Sequence, residues 1–345
     1  MRRIDVRAIA IGGTTGVLVA VSILILACHP GQPVVLGSAH RLPAPEQLIV
    51  KAPPLPANAS ADTTTAMSMQ NVLFHLDDDA LMSVRHLRGA MRDLTGSHIL
   101  DLDDKKSLEI VMDDAEIALS ANALSIVLNR YIFGYKGAPL KNLVIRTEGD
   151  HIVQTGTMHK IIDIPFEMTA TLSVDNGRIR IHPTKIEICN LDGEKLLRAV
   201  GSDLEKLLDL SGAKGVSVQR NDLLIDPLAS LPAPRITGRL ASIRVEAGDI
   251  IQTFGAPGGA APTPSEQAPN YIYFFGGTMR LGKLFMVHAD LQVIDGDPSD
   301  PFEFYLDYYN TQLIAGYHVT TPKLGLIAYM PDFDDIGTAK GIIRP

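Results

Sequence analysis

The sequence predicts an α+β protein in which a long, strongly curved antiparallel sheet wraps around an amphipathic helix, with additional antiparallel strands at the C-terminal end. Residues 161–175, IIDIPFEMTATLSVD, alternate between apolar and mostly polar side chains, the period-two pattern of a strand with one buried face. Ordinary strands have about five or six residues, so a strand of this length is expected to bend around a neighbouring element. Residues 120–132 have the apolar spacing of a helix and supply that element. A second amphipathic helix and many further strand segments complete the α+β pattern.

Residues 1–29 are predicted to be an export signal or membrane anchor. Arg2, Arg3 and Arg7 precede an uncharged run over residues 8–27, which is long enough to span a bilayer. Residues 25–28, ILAC, also resemble a bacterial lipobox, in which Cys28 would be lipidated. A transmembrane anchor, a lipoprotein and a cleaved signal peptide therefore remain open. All three place the rest of the chain outside the cytoplasm, in the cell envelope or periplasm.

The remaining chain divides by composition. Residues 30–66 are rich in Pro, Ala, Ser and Thr, which predicts an extended tether between the membrane and the folded part. The main α+β domain is expected at residues 67–255 and a Gly/Pro-rich loop at residues 256–269. Residues 270–345 are predicted to form strands that extend the sheet or pack on it.

The first helix is predicted to begin after Ser120, which is a suitable N-cap, and to end at Gly134 and Gly137. Strands are expected before it at residues 72–76, 84–94 and 107–112. Its apolar stripe falls at i, i+3, i+4, i+7 and i+8 and consists of Leu124, Val127, Leu128, Tyr131 and Ile132.

Four strands are predicted next, at residues 140–148, 151–159, 161–175 and 178–190. Asn176-Gly177 is a hairpin signal, because both residues tolerate positive φ. Pro183 shifts the apolar phase of its strand, which predicts a bulge or an edge position.

A second helix is predicted at residues 193–210, and strands follow it to the C-terminus. The predicted strands lie at residues 216–218, 222–225, 236–254, 271–279, 284–293, 302–308, 312–319 and 324–329.

Composition and motifs argue against several functions. The net charge is −8 and no basic stripe is present, so nucleic acid is not expected as a partner. No catalytic or phosphate-binding motif occurs, which predicts a protein that is not an enzyme and has no cofactor. Acidic runs at residues 77–79, 101–104 and 113–114 lack EF-hand spacing, and the ten histidines are scattered. No metal site is therefore expected.

The segment 115–188 resembles a known family. AEIALSANALSIVLN, APLKNLVIRTEGDHIVQTGTM and IPFEMTATLSVDNGRIRIHPTKI occur in an order similar to that of the LmeA-type bacterial phospholipid-binding envelope proteins. The fold of that family is similar to the TULIP lipid-transfer modules. The resemblance covers roughly residues 67–210 and implies a long helix cradled by a bent antiparallel sheet, with lipid held between them.

The functional hypothesis is a membrane-tethered envelope protein that binds phospholipid or another long-chain lipid in an apolar groove and could transfer it. One alternative is a structural or scaffolding envelope protein with a filled core and no cavity beside the Ser120 helix. Another is an envelope hydrolase, which would need two converging carboxylates. The residues predicted to contact lipid are Leu124, Val127, Leu128, Tyr131, Ile164, Phe166, Met168 and Leu172.

Overall fold

The computed structural model describes residues 64–159, 163–188, 191–192, 209–256 and 262–341, with only the backbone of residues 191–192. Strands account for 58% of the structure and helices for 10%, so the protein is mostly β rather than an even α+β mixture. The predicted anchor with Cys28, nearly all of the tether and residues 193–208 of the second predicted helix lie outside the described residues. The first described strand begins at Thr64, three residues before the predicted domain boundary at 67.

The first half of the described chain contains eleven strands and one helix, which continues into a π-helical turn at Leu128–Ile132. In chain order these elements are β1 (Thr64–His75), β2 (Leu81–Asp93), β3 (Leu100–Asp101), β4 (Leu108–Ser120), α1 (Ala121–Val127), β5 (Leu140–Glu148), β6 (His151–His159), β7 (Asp163–Asp175), β8 (Arg178–Ile188), β9 (Leu191–Asp192), β10 (Val216–Gln219) and β11 (Asp222–Ile225).

The second half adds eight strands and one further helix among the described residues. They are β12 (Arg235–Gly238), β13 (Leu240–Glu246), β14 (Asp249–Gly255), β15 (Tyr271–Leu281), β16 (Leu284–Asp295), β17 (Phe302–Tyr305), α2 (Tyr309–Ala315), β18 (Tyr317–Thr320) and β19 (Leu326–Met330).

The larger sheet joins the two ends of the described chain. Its strands follow the order β13-β14-β4-β2-β1-β15-β16-β19-β18, with β12, β17 and β3 paired alongside β4, β1 and β15. Most pairs are antiparallel, but β1–β17, β4–β12, β15–β3 and β16–β19 are parallel, so the sheet is mixed. Because β15 pairs with β1, the C-terminal strands continue the sheet that the N-terminal strands begin.

The smaller sheet is antiparallel and contains the long strand predicted from the sequence. Its order is β10-β11-β8-β7-β6-β5, with β9 paired to β8. The predicted hairpin at Asn176-Gly177 is confirmed, with φ of 51° and 79°. The predicted irregularity at Pro183 is also confirmed. Thr169 pairs with Lys185 and the next residue pairs with Pro183, so one residue of β8 bulges.

The first helix is confirmed, although a sheet wrapped around it is not. The Ser120 side chain accepts a hydrogen bond from the Ala123 backbone N–H at 3.1 Å, as an N-cap does. The helix is short and contacts β4 of the larger sheet and β5 of the smaller one. The two sheets contact each other directly through β13 and β7, and their inner faces share one hydrophobic core.

The prediction of a strand over residues 312–319 is wrong in its first half, where α2 forms. Gln312 is fully buried. Its side-chain amide hydrogen-bonds to backbone groups of neighbouring segments, as a peptide group would. Its Oε1 accepts from the Tyr305 N–H at 3.0 Å, and its Nε2 donates to the Glu303 and Pro331 carbonyls at 2.7 and 3.0 Å. These contacts fix the helical turn over β17 and outweigh the strand-like alternation of the segment.

Candidate functional site

A cavity lies between the inner faces of the two sheets and is partly open to solvent. Its volume is about 70 Å³, within about 910 Å³ of unfilled space when the gaps between lining atoms and the open mouth are counted. Among the residues that the structure describes, 24 line it, of which 22 are apolar, two are glutamines and none carries a charge. The cavity therefore offers an apolar ligand an almost wholly apolar environment.

Strand alternation places the lining side chains, because every second residue of a strand faces the core. The larger sheet and its β1–β2 turn contribute Leu76, Ala80, Leu81, Met82, Ile117, Leu119, Ile243, Ile250, Gln252 and Phe254. The smaller sheet contributes Ile145, Ile152, Gln154, Leu172, Ile179, Ile181 and Ile225. The helical segment and the loop after β11 complete the wall with Leu124, Val127, Leu128, Ile132, Pro227, Leu228 and Leu231.

The helix closes one side of the cavity by bonding to the free edge of the smaller sheet. Asn129 donates from Nδ2 to the Leu143 carbonyl at 2.7 Å and accepts at Oδ1 from the Leu143 N–H at 2.9 Å. The Ser125 hydroxyl accepts from the Ile145 N–H at 2.8 Å. These bonds satisfy backbone groups of β5 that would otherwise be unpaired at a sheet edge.

On its other side the helical segment bonds to the β1–β2 turn. Arg130 Nη1 lies 2.7 Å from Asp79 Oδ2, and the Tyr131 hydroxyl donates to Asp77 Oδ1 at 2.7 Å. Burial and the adjacent Asp77 carboxylate both raise the pKa of the Tyr131 hydroxyl. The helical segment thus spans the gap between the two sheets and fixes one side of the cavity.

Four of the eight residues predicted to contact lipid line this cavity. They are Leu124, Val127, Leu128 and Leu172. Tyr131 is outside the lining, because its hydroxyl is directed to the β1–β2 turn.

The other three predicted residues lie in the first part of β7, away from the cavity. Met168 is buried in the main core without lining the cavity. Ile164 belongs to a separate small cluster with Ile188, and Phe166 packs against that cluster. Only the C-terminal half of β7, represented by Leu172, reaches the cavity.

Only strand alternation marks the lining residues that were not predicted. Ile250, Gln252 and Phe254 alternate along β14, and Ile117 and Leu119 alternate along β4. Alternation identifies the buried face of a strand but not the strand that pairs with it. The pairing of β14 with β4 joins segments more than 100 residues apart, which no local pattern predicts.

The acidic and histidine residues of the described chain occupy other places. Asp295 and Asp332 are nearly buried but line no part of the cavity, and burial raises their pKa to about 6 and about 7. His159 and His182 pair with different carboxylates, Asp163 and Asp222, each at 2.6 Å. Within the described ranges, no three His, Cys, Asp or Glu residues are arranged to hold a metal ion.

Among the residues that the structure describes, no helix is long and apolar enough to cross a bilayer.

No protein-family model matches this chain, and neither the curated proteins nor the solved structures give a significant match.

Proposed function

We propose that this protein binds phospholipid or another long-chain lipid, with acyl chain inside the cavity between its two sheets. The observation that carries the proposal is the composition of the cavity wall, with 22 apolar residues of 24 and no charge. Transfer of an acyl chain from water into an apolar site is favourable by about 0.8 kcal/mol per CH₂ group. A lipid site therefore requires an apolar lining of this kind. The partly open mouth gives the chain a route in.

A bound lipid must widen the cavity, because about 70 Å³ is small for an acyl chain. The boundary best suited to move is the helical segment, which joins the smaller sheet through the side chains of Ser125 and Asn129 rather than through strand pairing. In this arrangement the two sheets and the helix would enclose the lipid together, in the manner of the TULIP-like, LmeA-type proteins that the sequence resembles.

The proposed setting is the cell envelope. The uncharged run of residues 8–27 would anchor the protein, either as a transmembrane segment or through lipidation of Cys28, and residues 30–63 would serve as the tether. Such an anchor would keep the lipid site near a membrane, where transfer of lipid becomes possible.

The cavity favours this function over both alternatives. A scaffold with a filled core would leave no space beside the Ser120 helix, yet Leu124, Val127 and Leu128 of that helical segment border the cavity. A hydrolase of the kind considered would require two carboxylates converging in a cleft, and none of the described residues that line the cavity is acidic.

Filling the cavity tests the proposal. The full chain and the variants Leu124→Trp and Leu172→Trp are purified in the same detergent, and lipid is extracted with solvent and quantified per mole of protein. Leu324→Trp is the matched control, because Leu324 is 88% exposed and far from the lining. The cavity variants are expected to retain less lipid than the control. Equal lipid content in all four proteins, with unchanged melting temperatures, would refute the proposal.

A further inference from the structure

Two buried glutamines face the cavity without hydrogen-bonding partners. Gln154 lies on β6 between the sheets and Gln252 lies on β14 of the opposite wall, and each is 6% exposed. Neither side chain donates or accepts a hydrogen bond with any residue that the structure describes. Gln154 follows Ile152 on its inward face, and Gln252 stands between Ile250 and Phe254. An apolar side chain would suit either position if the cavity served only as core.

The other buried glutamines of the described chain behave differently. Gln292 accepts from the Glu266 N–H at 2.9 Å and donates to the Glu266 carbonyl at 2.6 Å. Gln312 also uses both ends of its amide on backbone groups. The two glutamines that lack partners are therefore the two that face the cavity. Their amide atoms are not among the fully buried side-chain atoms that lack a partner, so they open onto the cavity, where water or a bound ligand can hydrogen-bond to them.

The cavity restricts what that partner can be. With no charged residue among the described lining residues, an ionised group would lose its hydration without gaining an opposite charge. An uncharged group with a hydrogen-bond acceptor, bound in place of water, is a suitable partner for an amide N–H. In an acyl lipid that enters by its hydrocarbon chain, the first uncharged polar group after the chain is the ester.

We propose that Gln154 and Gln252 bind the ester carbonyl oxygens of an acyl lipid inside the cavity, each donating a hydrogen bond from its side-chain amide. This inference rests on the proposed lipid-binding function and makes it more specific. The ligand is an ester-linked lipid held with its ester groups inside the protein and its charged head group at the mouth. The two amides select for the linkage, whereas the apolar residues bind the chain.

Two photoactivatable lipids that differ only in this linkage test the inference. The full chain is reconstituted into phosphatidylcholine vesicles that contain a trace of a phosphatidylcholine probe with a diazirine at the end of one chain. In one probe the chains are ester-linked, and in the other they are ether-linked and lack the carbonyl oxygen. Adducts on peptides of residues 64–341 are quantified for both probes after irradiation.

Wild-type protein is expected to prefer the ester probe by about fivefold to a hundredfold, the effect of two hydrogen bonds lost. Gln154→Leu and Gln252→Leu are expected to reduce this preference while labelling by the ether probe is retained. Gln219→Leu, on an exposed strand position, is the matched control and should keep the wild-type preference. Both cavity variants should melt no lower than this control, because neither substitution removes a side-chain hydrogen bond within the described residues and each places an apolar side chain in an apolar wall.

The outcomes separate this inference from the proposed function. Equal labelling of wild-type protein by both probes, or a preference that survives both substitutions, overturns the role of the glutamines while lipid binding stands. A cavity variant that melts below the control also overturns it, because its amide then has a partner within the folded protein. The absence of adducts from residues 64–341 with either probe overturns lipid binding itself.

Discussion

Substitution of Asn129 directly tests the hydrogen bonds that join the helical segment to the smaller sheet. Its side chain makes two hydrogen bonds to the backbone of Leu143, a residue with no solvent exposure. In Asn129→Ala, the N–H and the carbonyl of Leu143 both lose their partner. Each unpaired buried group costs about 1–3 kcal/mol, so the free energy of unfolding is expected to fall by about 2–4 kcal/mol. This is a large change for one side chain at the surface of a helix.

The same helix provides the matched control. Asn122 is exposed and makes no side-chain hydrogen bond with the described residues, so Asn122→Ala should leave stability unchanged or raise it slightly, because alanine has the better helix propensity. Asn129→Asp keeps the acceptor for the Leu143 N–H but loses the donor, and should fall between wild type and Asn129→Ala. The measurements are urea unfolding and amide hydrogen exchange of the full chain. If Asn129→Ala matches Asn122→Ala in stability and leaves exchange at residues 143–145 unchanged, the helix does not hold this edge.

Three further predictions concern stability elsewhere in the protein. Burial raises the pKa of Asp295 to about 6 and of Asp332 to about 7, so the folded state holds more protons than the unfolded chain above pH 3.8. Stability should therefore fall as the pH rises from about 4 to about 7, by a few kcal/mol at most, and the double Asp→Asn variant should show a flatter profile in melting temperature against pH. Tyr131→Phe loses a half-buried hydrogen bond to a carboxylate and should cost about 1–2 kcal/mol in urea unfolding, whereas Arg130→Ala loses an exposed ion pair and should cost less than about 1 kcal/mol. Equal costs would contradict this assignment. Gly89→Ala would place a Cβ 1.9 Å from a carbonyl oxygen of β4 and should reduce the soluble yield and melting temperature markedly. Gly96→Ala has open space around it and should have a smaller effect, limited to the strain of an alanine at a φ of +77°.

Local sequence patterns correctly predicted the structural features that depend only on residues close together in the chain. The Ser120 N-cap, the Asn176-Gly177 hairpin and the irregularity at Pro183 each depend on neighbouring residues, and the structure confirms all three. Strand ends were less well predicted. Residues 236–254 read as one strand, but a break at Arg239 and the turn at Ala247-Gly248 divide them into three.

The arrangement of the sheets depends on pairing between strands that are far apart in the chain, which local sequence patterns do not predict. The alternation of residues 161–175 led to the expectation of a single curved sheet, because a long strand must bend around some neighbour. The structure instead places β7 in one of two facing sheets, and the opposite wall of the cavity comes from β4 and β14. Leu124, Val127 and Leu128 of the helical segment and Leu172 of β7 line one cavity, whereas Tyr131 lies outside the lining and Ile164 and Phe166 belong to another cluster.

Mapping the residues that a photoactivated chain end modifies shows directly whether an acyl chain enters between the two sheets. The full chain in phosphatidylcholine vesicles is irradiated with the ester-linked diazirine probe, and the modified residues are located by peptide mass spectrometry. The account predicts adducts on lining residues from both sheets, such as Leu172 and Ile250, and on Leu124 of the helix, with fewer adducts in Leu172→Trp. Adducts confined to residues 1–63, or to exposed side chains such as Ile314 and Leu324, would contradict it.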